Sequence, residues 1–197
     1  MRGFLLNIAV YLVCLAPLNA QDFSVGEEYY KTGDYANALK VWTPLAEQGD
    51  PNAQYKLAWM YDFGNGISEN NSKAVIWYRL AAEQGHVSAQ YNLGVMYDFG
   101  EGISQDKIAA VKWYRLAAEQ GHALAQNNLG VMYENGEGVS QDKVLAYQWY
   151  GIAAANENEM SENWRDQTAK EMTPEDISKA QEMIRACMKS NYQDCGH

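Results

Sequence analysis

Basic residues are in short supply in this chain. Its 15 lysines and arginines face 25 aspartates and glutamates, for a formal charge of −10. Binding nucleic acid through counterion release needs a clustered Lys/Arg surface, and no such cluster occurs, so that class is excluded. Long apolar runs are also missing. The longest, Phe4 to Leu15 interrupted by Asn7, falls short of the roughly 20 residues a membrane helix requires. Cysteine is rare, with 3 in 197 residues, yet 47% of the chain is hydrophobic and 20% charged, which allows a packed core and excludes a disordered or fibrous chain.

The N-terminal residues follow different rules from the rest. Arg2, the apolar run, Pro17 and the small residue Ala20 read as the charged, apolar and cleavage regions of an export signal over residues 1–20, with the mature chain starting at Gln21. The expected location is secreted or periplasmic, without membrane insertion after cleavage. An uncleaved anchor and a lipoprotein at Cys14 are the alternatives; the first has too short a run, and Val13 stands where lipidation signals carry a small residue. Loss of Arg2 with the signal takes the charge from −10 to −11. The two remaining cysteines, Cys187 and Cys195, would then enter an oxidising compartment and are expected to pair.

Whole words recur along the chain. RLAAEQGH runs from Arg79 to His86 and again from Arg115 to His122; NLGVMY runs from Asn92 to Tyr97 and from Asn128 to Tyr133. Trp77, Trp113 and Trp149 stand 36 apart, as do Leu57, Leu93 and Leu129, and Tyr61, Tyr97 and Tyr133. Such a period marks a repeat architecture. Each unit reads as two helices. Ala89, Leu93, Gly94 and Tyr97 share one helical face, and the glycines of Phe99 to Gly102 stop that helix. The second helix starts near Asp106, carries Ala110, Trp113, Tyr114, Ala117 and Ala118 on one face, and ends at Gly121 in a left-handed cap. Gly94, and Gly130 in the next unit, are expected to let the partner helix approach closely, offsetting the roughly 1 kcal/mol that glycine costs within a helix.

The pattern Ala-x-x-x-Leu-Gly-x-x-Tyr, Gly-x-Gly, Ala-x-x-Trp-Tyr-x-x-Ala-Ala-x-x-Gly resembles the Sel1-like repeat, a relative of the tetratricopeptide repeat. The resemblance implies an all-α, right-handed α/α superhelical solenoid of antiparallel helix pairs. Three units fall at about 50–85, 86–121 and 122–157. Residues 21–49 read as an N-terminal capping hairpin whose second helix Pro44 would interrupt. Residues 158–197 leave the period and read as capping helices; there Thr173-Pro174-Glu175-Asp176 opens a helix whose stripe is Ile177, Ala180, Ile184, Cys187 and Met188. Ala186-Cys187 followed by Cys195 resembles the cysteine hairpin of the cysteine-rich Sel1-like proteins, although the equivalent positions in the repeats, Ala82 with Gln90 and Ala118 with Gln126, lack cysteine.

Several motifs suggest chemistry and give way to plainer readings. Ser104 to Lys107 and Ser140 to Lys143 fit Ser-x-x-Lys, and Lys31-Thr32-Gly33 fits Lys-Thr-Gly, as in serine β-lactamases. That chemistry needs a buried serine facing a strand, and no sheet is expected, so helix capping by Ser104 and Asp106 is preferred. His86 and His122 lie one repeat apart, about 10 Å, too far for shared ligation of a metal, and read as surface histidines. Asn70-Asn71-Ser72 fits a glycosylation acceptor but also a helix cap. No cofactor, metal or catalytic residue is assigned.

What remains is a surface. In the related tetratricopeptide fold the first helix of each unit lines a concave groove, which here would present Tyr55, Trp59, Asp62 and Phe63, then Tyr91, Val95, Asp98 and Phe99, then Asn127, Val131, Glu134 and Asn135. The resemblance therefore implies an exported protein-interaction scaffold, with an acidic and aromatic groove taking a protein or peptide that carries basic and apolar residues. The alternative, implied by the cysteine-rich relatives, is an enzyme that binds or hydrolyses β-lactams or acts on the cell wall.

Overall fold

The computed structural model describes residues 20–193 and 195; the export-signal residues before Ala20, Cys14 and His197 lie outside the described residues. Among those described there are ten helices and no strand: α1 (Ala20–Lys31), α2 (Tyr35–Glu47), α3 (Pro51–Phe63), α4 (Asn71–Glu83), α5 (Val87–Phe99), α6 (Lys107–Ala118), α7 (Ala123–Asn135), α8 (Lys143–Ala155), α9 (Glu159–Ala169) and α10 (Pro174–Lys189). Each helix packs on its neighbour in sequence from α1 through α9, and α10 folds back onto α8. The result is a solenoid of helical hairpins with its core strung along the pairs.

The period is set by caps. Asp50, His86, His122 and Asn158, spaced by 36, each accept a backbone N–H at the start of α3, α5, α7 and α9. Asn70, Asp106 and Asp142 do the same for α4, α6 and α8. The first helix of each unit ends on a left-handed glycine, Gly64, Gly100 or Gly136. The second ends in a Schellman turn: His122 N–H bonds Ala117 O and Gly121 N–H bonds Ala118 O, with Gly121 at φ +85°. The expected interruption at Pro44 does not occur. α2 runs through it to Glu47, because a proline in the last turn removes a single N–H from the ladder.

The repeated words interlock the units. Leu57, Leu93 and Leu129 are buried, as are Tyr133 and Trp149, while Tyr61, Tyr97, Trp77 and Trp113 are half-buried. A Cβ on Gly94 would stand 2.7 Å from the Tyr114 ring, and one on Gly130 would stand 2.7 Å from that of Tyr150, so each glycine makes room for a buried tyrosine. Arg79 donates to the Tyr97 hydroxyl at 2.7 Å and Arg115 to that of Tyr133 at 2.5 Å, bridging one unit to the next. Gln90 and Gln126 donate to the carbonyls of Ala82 and Ala118. An amide hydrogen bond thus spans the positions where the cysteine-rich pattern would carry a bridge.

The C-terminal end closes the stack. α9 starts in register with the repeats at Asn158, and α10 approaches α8 over Gly151, where a Cβ would meet Ile184 at 2.4 Å. Cys187 and Cys195, both fully buried, stand at disulfide distance with Cα atoms 4.4 Å apart. Gln148 donates to the Cys195 carbonyl, and Tyr192 donates to Asn156 at 2.8 Å, so the tail is held against the last repeat. Met188, expected on the buried stripe of α10, is exposed.

Candidate functional site

A groove of about 630 Å³ opens along α3 and α5. Tyr55, Trp59, Asp62 and Phe63 come from α3, with Tyr91, Asn92 and Val95 from α5; Glu69, Asn71 and Glu101 close one side, and His122 and Leu124 at the start of α7 close the far end. The helical spacing of three and four residues places the α3 side chains in one row. Trp59 is fixed from behind: its indole N–H donates to the Tyr30 hydroxyl at 3.1 Å, and its ring lies 4.4 Å from that of Phe63. Phe63 is 56% exposed.

The groove gathers Tyr55, Trp59, Asp62, Phe63, Tyr91 and Val95 and leaves out the other residues expected there. Asp98, 7% exposed, is a buried carboxylate that receives Lys107 Nζ at 2.5 Å and the Tyr114 hydroxyl at 3.0 Å, so it is not open to a partner. Phe99 is exposed outside the groove, beneath Lys107. In the third unit α9 covers the row. Asn127 is buried and accepts from Ser161 at 2.8 Å, Glu134 accepts from Thr168 at 2.9 Å, and Val131 packs against the core. Asn135 is exposed and does not line the groove.

His86 and His122 have an architectural place that differs from the expected surface one. Each is a helix N-cap whose Nδ1 accepts a backbone N–H, from Ala89 at 3.2 Å and Ala125 at 3.3 Å. Each ring stacks on a groove tyrosine, His86 on Tyr55 at 4.5 Å and His122 on Tyr91 at 4.6 Å. Burial lowers the pKa of both, which favours the neutral ring that capping requires. No group of three or more His, Cys, Asp or Glu among the described residues is placed to hold a metal ion.

Asp62 has an unusual electrostatic setting. Burial raises its pKa; the Tyr78 hydroxyl, donating at 3.1 Å, opposes the shift, and the carboxylates of Glu101 and Glu69 add to it. In the next unit burial disfavours the Lys107 ammonium, but its bonds to Asp98 and to Glu137, at 2.6 Å, outweigh that and raise its pKa. The Ser-x-x-Lys words form no reactive cluster: Ser104 and Ser140 are exposed, Lys107 is held in these ion pairs, and Lys143 pairs with Glu171. Thr32, in the turn after α1, donates to the carbonyls of Glu28 and Tyr29. Asn70 caps α4.

Stacked two-helix units locked by periodic caps, with a groove along α3 and α5, define a helical-repeat solenoid protein. Residues 51–86, 87–122 and 123–158 each match the Sel1 repeat, and the chain belongs to the Sel1-repeat family. Among solved structures it resembles a Sel1 repeat protein from Oxalobacter formigenes, at 40% identity and a TM-score of 0.68 over 73% of this chain and 57% of that one. It also resembles c5321, a protective antigen present in uropathogenic Escherichia coli strains displaying an SLR fold, at 28% identity and a TM-score of 0.62 over 87% of this chain and 46% of that one. The chain thus spans about half the length of these solved relatives. No curated protein matches it.

Proposed function

We propose that the chain is an exported scaffold whose groove along α3 and α5 binds an extended or helical segment of a partner protein carrying basic residues beside apolar anchors. The observation that carries this reading is the juxtaposition of partly exposed aromatics, Tyr55, Trp59, Phe63 and Tyr91, with carboxylates that have no basic partner, Asp62, Glu69 and Glu101. Aromatic anchors set residence time, and an unneutralised acidic rim steers a basic partner and sets its register. Binding without turnover is proposed, and hydrolysis of a chromogenic β-lactam above buffer would overturn that part. Export is supported by the N-terminal pattern and by the buried cysteine pair, which suits an oxidising compartment. N-terminal sequencing of the exported product is expected to begin at Gln21.

The groove is tested by affinity capture from the host's exported proteins with the mature chain as bait. Trp59→Ala is expected to speed dissociation of the captured partner, at a cost of about 1–2 kcal/mol or more. Asp62→Lys is expected to slow association and flatten its salt dependence. Unchanged binding by both variants would show that another surface is used.

A further inference from the structure

The second repeat contains a filled version of a pocket that the first leaves open. Lys107 Nζ sits between Asp98 at 2.5 Å and Glu137 at 2.6 Å, and 6.0 Å over the Phe99 ring. Thirty-six residues earlier stand Asp62, Glu101 and Phe63, but Asn71 replaces the lysine. The backbone around the two places corresponds. A Cβ on Gly138 would stand 2.3 Å from Lys107 O, and one on Gly102 would stand 2.3 Å from the Asn71 carbonyl carbon, so the loop bearing Glu101 rests on Asn71 as the loop bearing Glu137 rests on Lys107. Asn71 lines the groove, and its Oδ1 is buried with no hydrogen-bond partner. The loop before α4 also carries Glu69 where the later units have Gln105 and Gln141, adding negative charge to the place that has lost its cation.

We propose that Asp62, Glu101 and Asn71 Oδ1 receive the ammonium of a lysine side chain from the partner protein, in the position that Lys107 Nζ fills one unit later. An ammonium has three donors, and the groove is lined by the two carboxylates equivalent to those that Lys107 bonds, Asp62 and Glu101, together with Asn71, whose Oδ1 is unpaired, and Phe63, the equivalent of Phe99. The filled copy takes a compact point charge between carboxylates on separate elements, which suits lysine; one oxygen of Asp62 is already taken by the Tyr78 hydroxyl, as one of Asp98 is by Tyr114, so that carboxylate does not offer both oxygens to the planar fork of arginine. Among the described residues no group of three or more His, Cys, Asp or Glu is placed to hold a metal ion, which favours an organic cation. The chain's own nearby lysines are engaged elsewhere: Lys73 lies over Tyr61 at 5.1 Å, and Lys56 pairs with Glu27 at 3.2 Å. A protein lysine is favoured over a free amine because the pocket continues into the aromatic groove, whose roughly 630 Å³ accommodates apolar neighbours of that lysine.

This deepens the groove reading and rests on it. The probe is an acetylated, amidated Leu-Lys-Leu peptide titrated into the full mature chain, with NMR shifts of the Trp59 indole and Asn71 amide as readout. Replacing its lysine with norleucine is expected to weaken binding about tenfold, the effect of one modest charged contact, and replacing it with arginine to weaken it measurably. Asn71→Lys places in the pocket the residue that positions 107 and 143 already carry, and is expected to abolish the preference for the lysine peptide over the norleucine peptide. Glu101→Gln, on an exposed loop, is expected to reduce that preference with the fold unchanged. Equal binding of the lysine and norleucine peptides, a preference that survives Asn71→Lys, or n-butylammonium binding as tightly as the peptide would each overturn the proposal. If Trp59→Ala abolishes capture of the natural partner while Asn71→Lys leaves it intact, the groove reading stands and the lysine pocket falls; if neither variant matters, both fall.

Discussion

Replacing Lys107 with methionine removes the cation from a carboxylate that water barely reaches. Asp98 has a side chain 10% exposed, and Lys107 Nζ bonds both it and Glu137. After the change Asp98 keeps the Tyr114 hydroxyl but has no counter-charge. Breaking a fully buried pair costs about 3–5 kcal/mol, whereas an exposed pair is worth about 0.2–1 kcal/mol. The Lys107 side chain is 33% exposed, so water screens part of the interaction and both limits must be discounted. The first repeat gives a second bound: Asp62 folds without a lysine, but it is only half-buried and keeps Tyr78. A loss of about 2 kcal/mol lies between these limits. Lys143→Met is the internal control, because its partner Glu171 is 64% exposed and water screens that pair, so the change is expected to leave the urea midpoint nearly where it is. Urea unfolding of both variants, with Asp98→Asn and the Asp98→Asn/Lys107→Met double variant to complete the cycle, measures the difference. If Lys107→Met costs no more than Lys143→Met, the burial argument for Asp98 is wrong.

The histidine caps predict a pH response. Burial lowers both pKa values from the ordinary 6.5, so below that pH the unfolded chain binds more protons than the folded one, and stability is present above about 6.5 and lost as pH falls through the lowered values. Replacing His86 and His122 with asparagine, the residue at the equivalent Asn158, is expected to keep the caps and flatten a plot of the urea midpoint against pH between 7 and 5; an unchanged slope would refute the assignment. Thiol labelling of native, unreduced protein is expected to find Cys187 and Cys195 protected, and reduction to lower stability by about 2–3 kcal/mol, since the closed loop is short; two reactive thiols contradict this. Gly94→Leu is expected to cost about 1–3 kcal/mol or more by overpacking against Tyr114, and Gly94→Ala to cost less but not nothing, because its Cβ already requires the buried Tyr114 ring to shift, a shift that the first unit accommodates around Ala58; equal urea midpoints for the two variants would contradict the close-packing account.

Helices and their ends were legible because they depend on local chemistry repeated at one interval. Asp106 as a cap, Gly100 as a left-handed stop and Gly94 beneath an aromatic ring each follow from the residue type and its near neighbours. The histidines were harder to read, since imidazole serves as a cap less often than Asp or Asn. A signal was nevertheless present, because Asp50 and Asn158 flank them at the same interval. The identity of α9 as a further first helix was hidden because its sequence departs from the apolar pattern of the units, and only Asn158 keeps the register. That departure hid the covering of Asn127 and Glu134, which depends on contacts with Ser161 and Thr168.

Asp98 shows why equal spacing does not confer equal roles. Asp62, Asp98 and Glu134 occupy one place in the unit, yet one lines the groove, one is buried in an ion pair and one bonds α9. What separates the first two lies nine residues downstream, Asn71 or Lys107, and only the path of the Gly-x-Gly loop brings that residue back beside the carboxylate. The same comparison divides the rest of the repeat. Residues identical in both full words, Arg79 with Arg115, Gln84 with Gln120 and Gly94 with Gly130, make the same contacts from unit to unit and lock the stack. Residues that change at one register, Trp59 against Val95 and Asn71 against Lys107, are those that shape and charge the groove. A solenoid needs identity where units touch each other, because each interface repeats the last. A binding surface needs difference, since a groove of identical steps would leave the register of its ligand undetermined. On the lysine-pocket proposal, the change from Asn71 in one unit to Lys107 in the next is such a difference and would give the groove a fixed starting point.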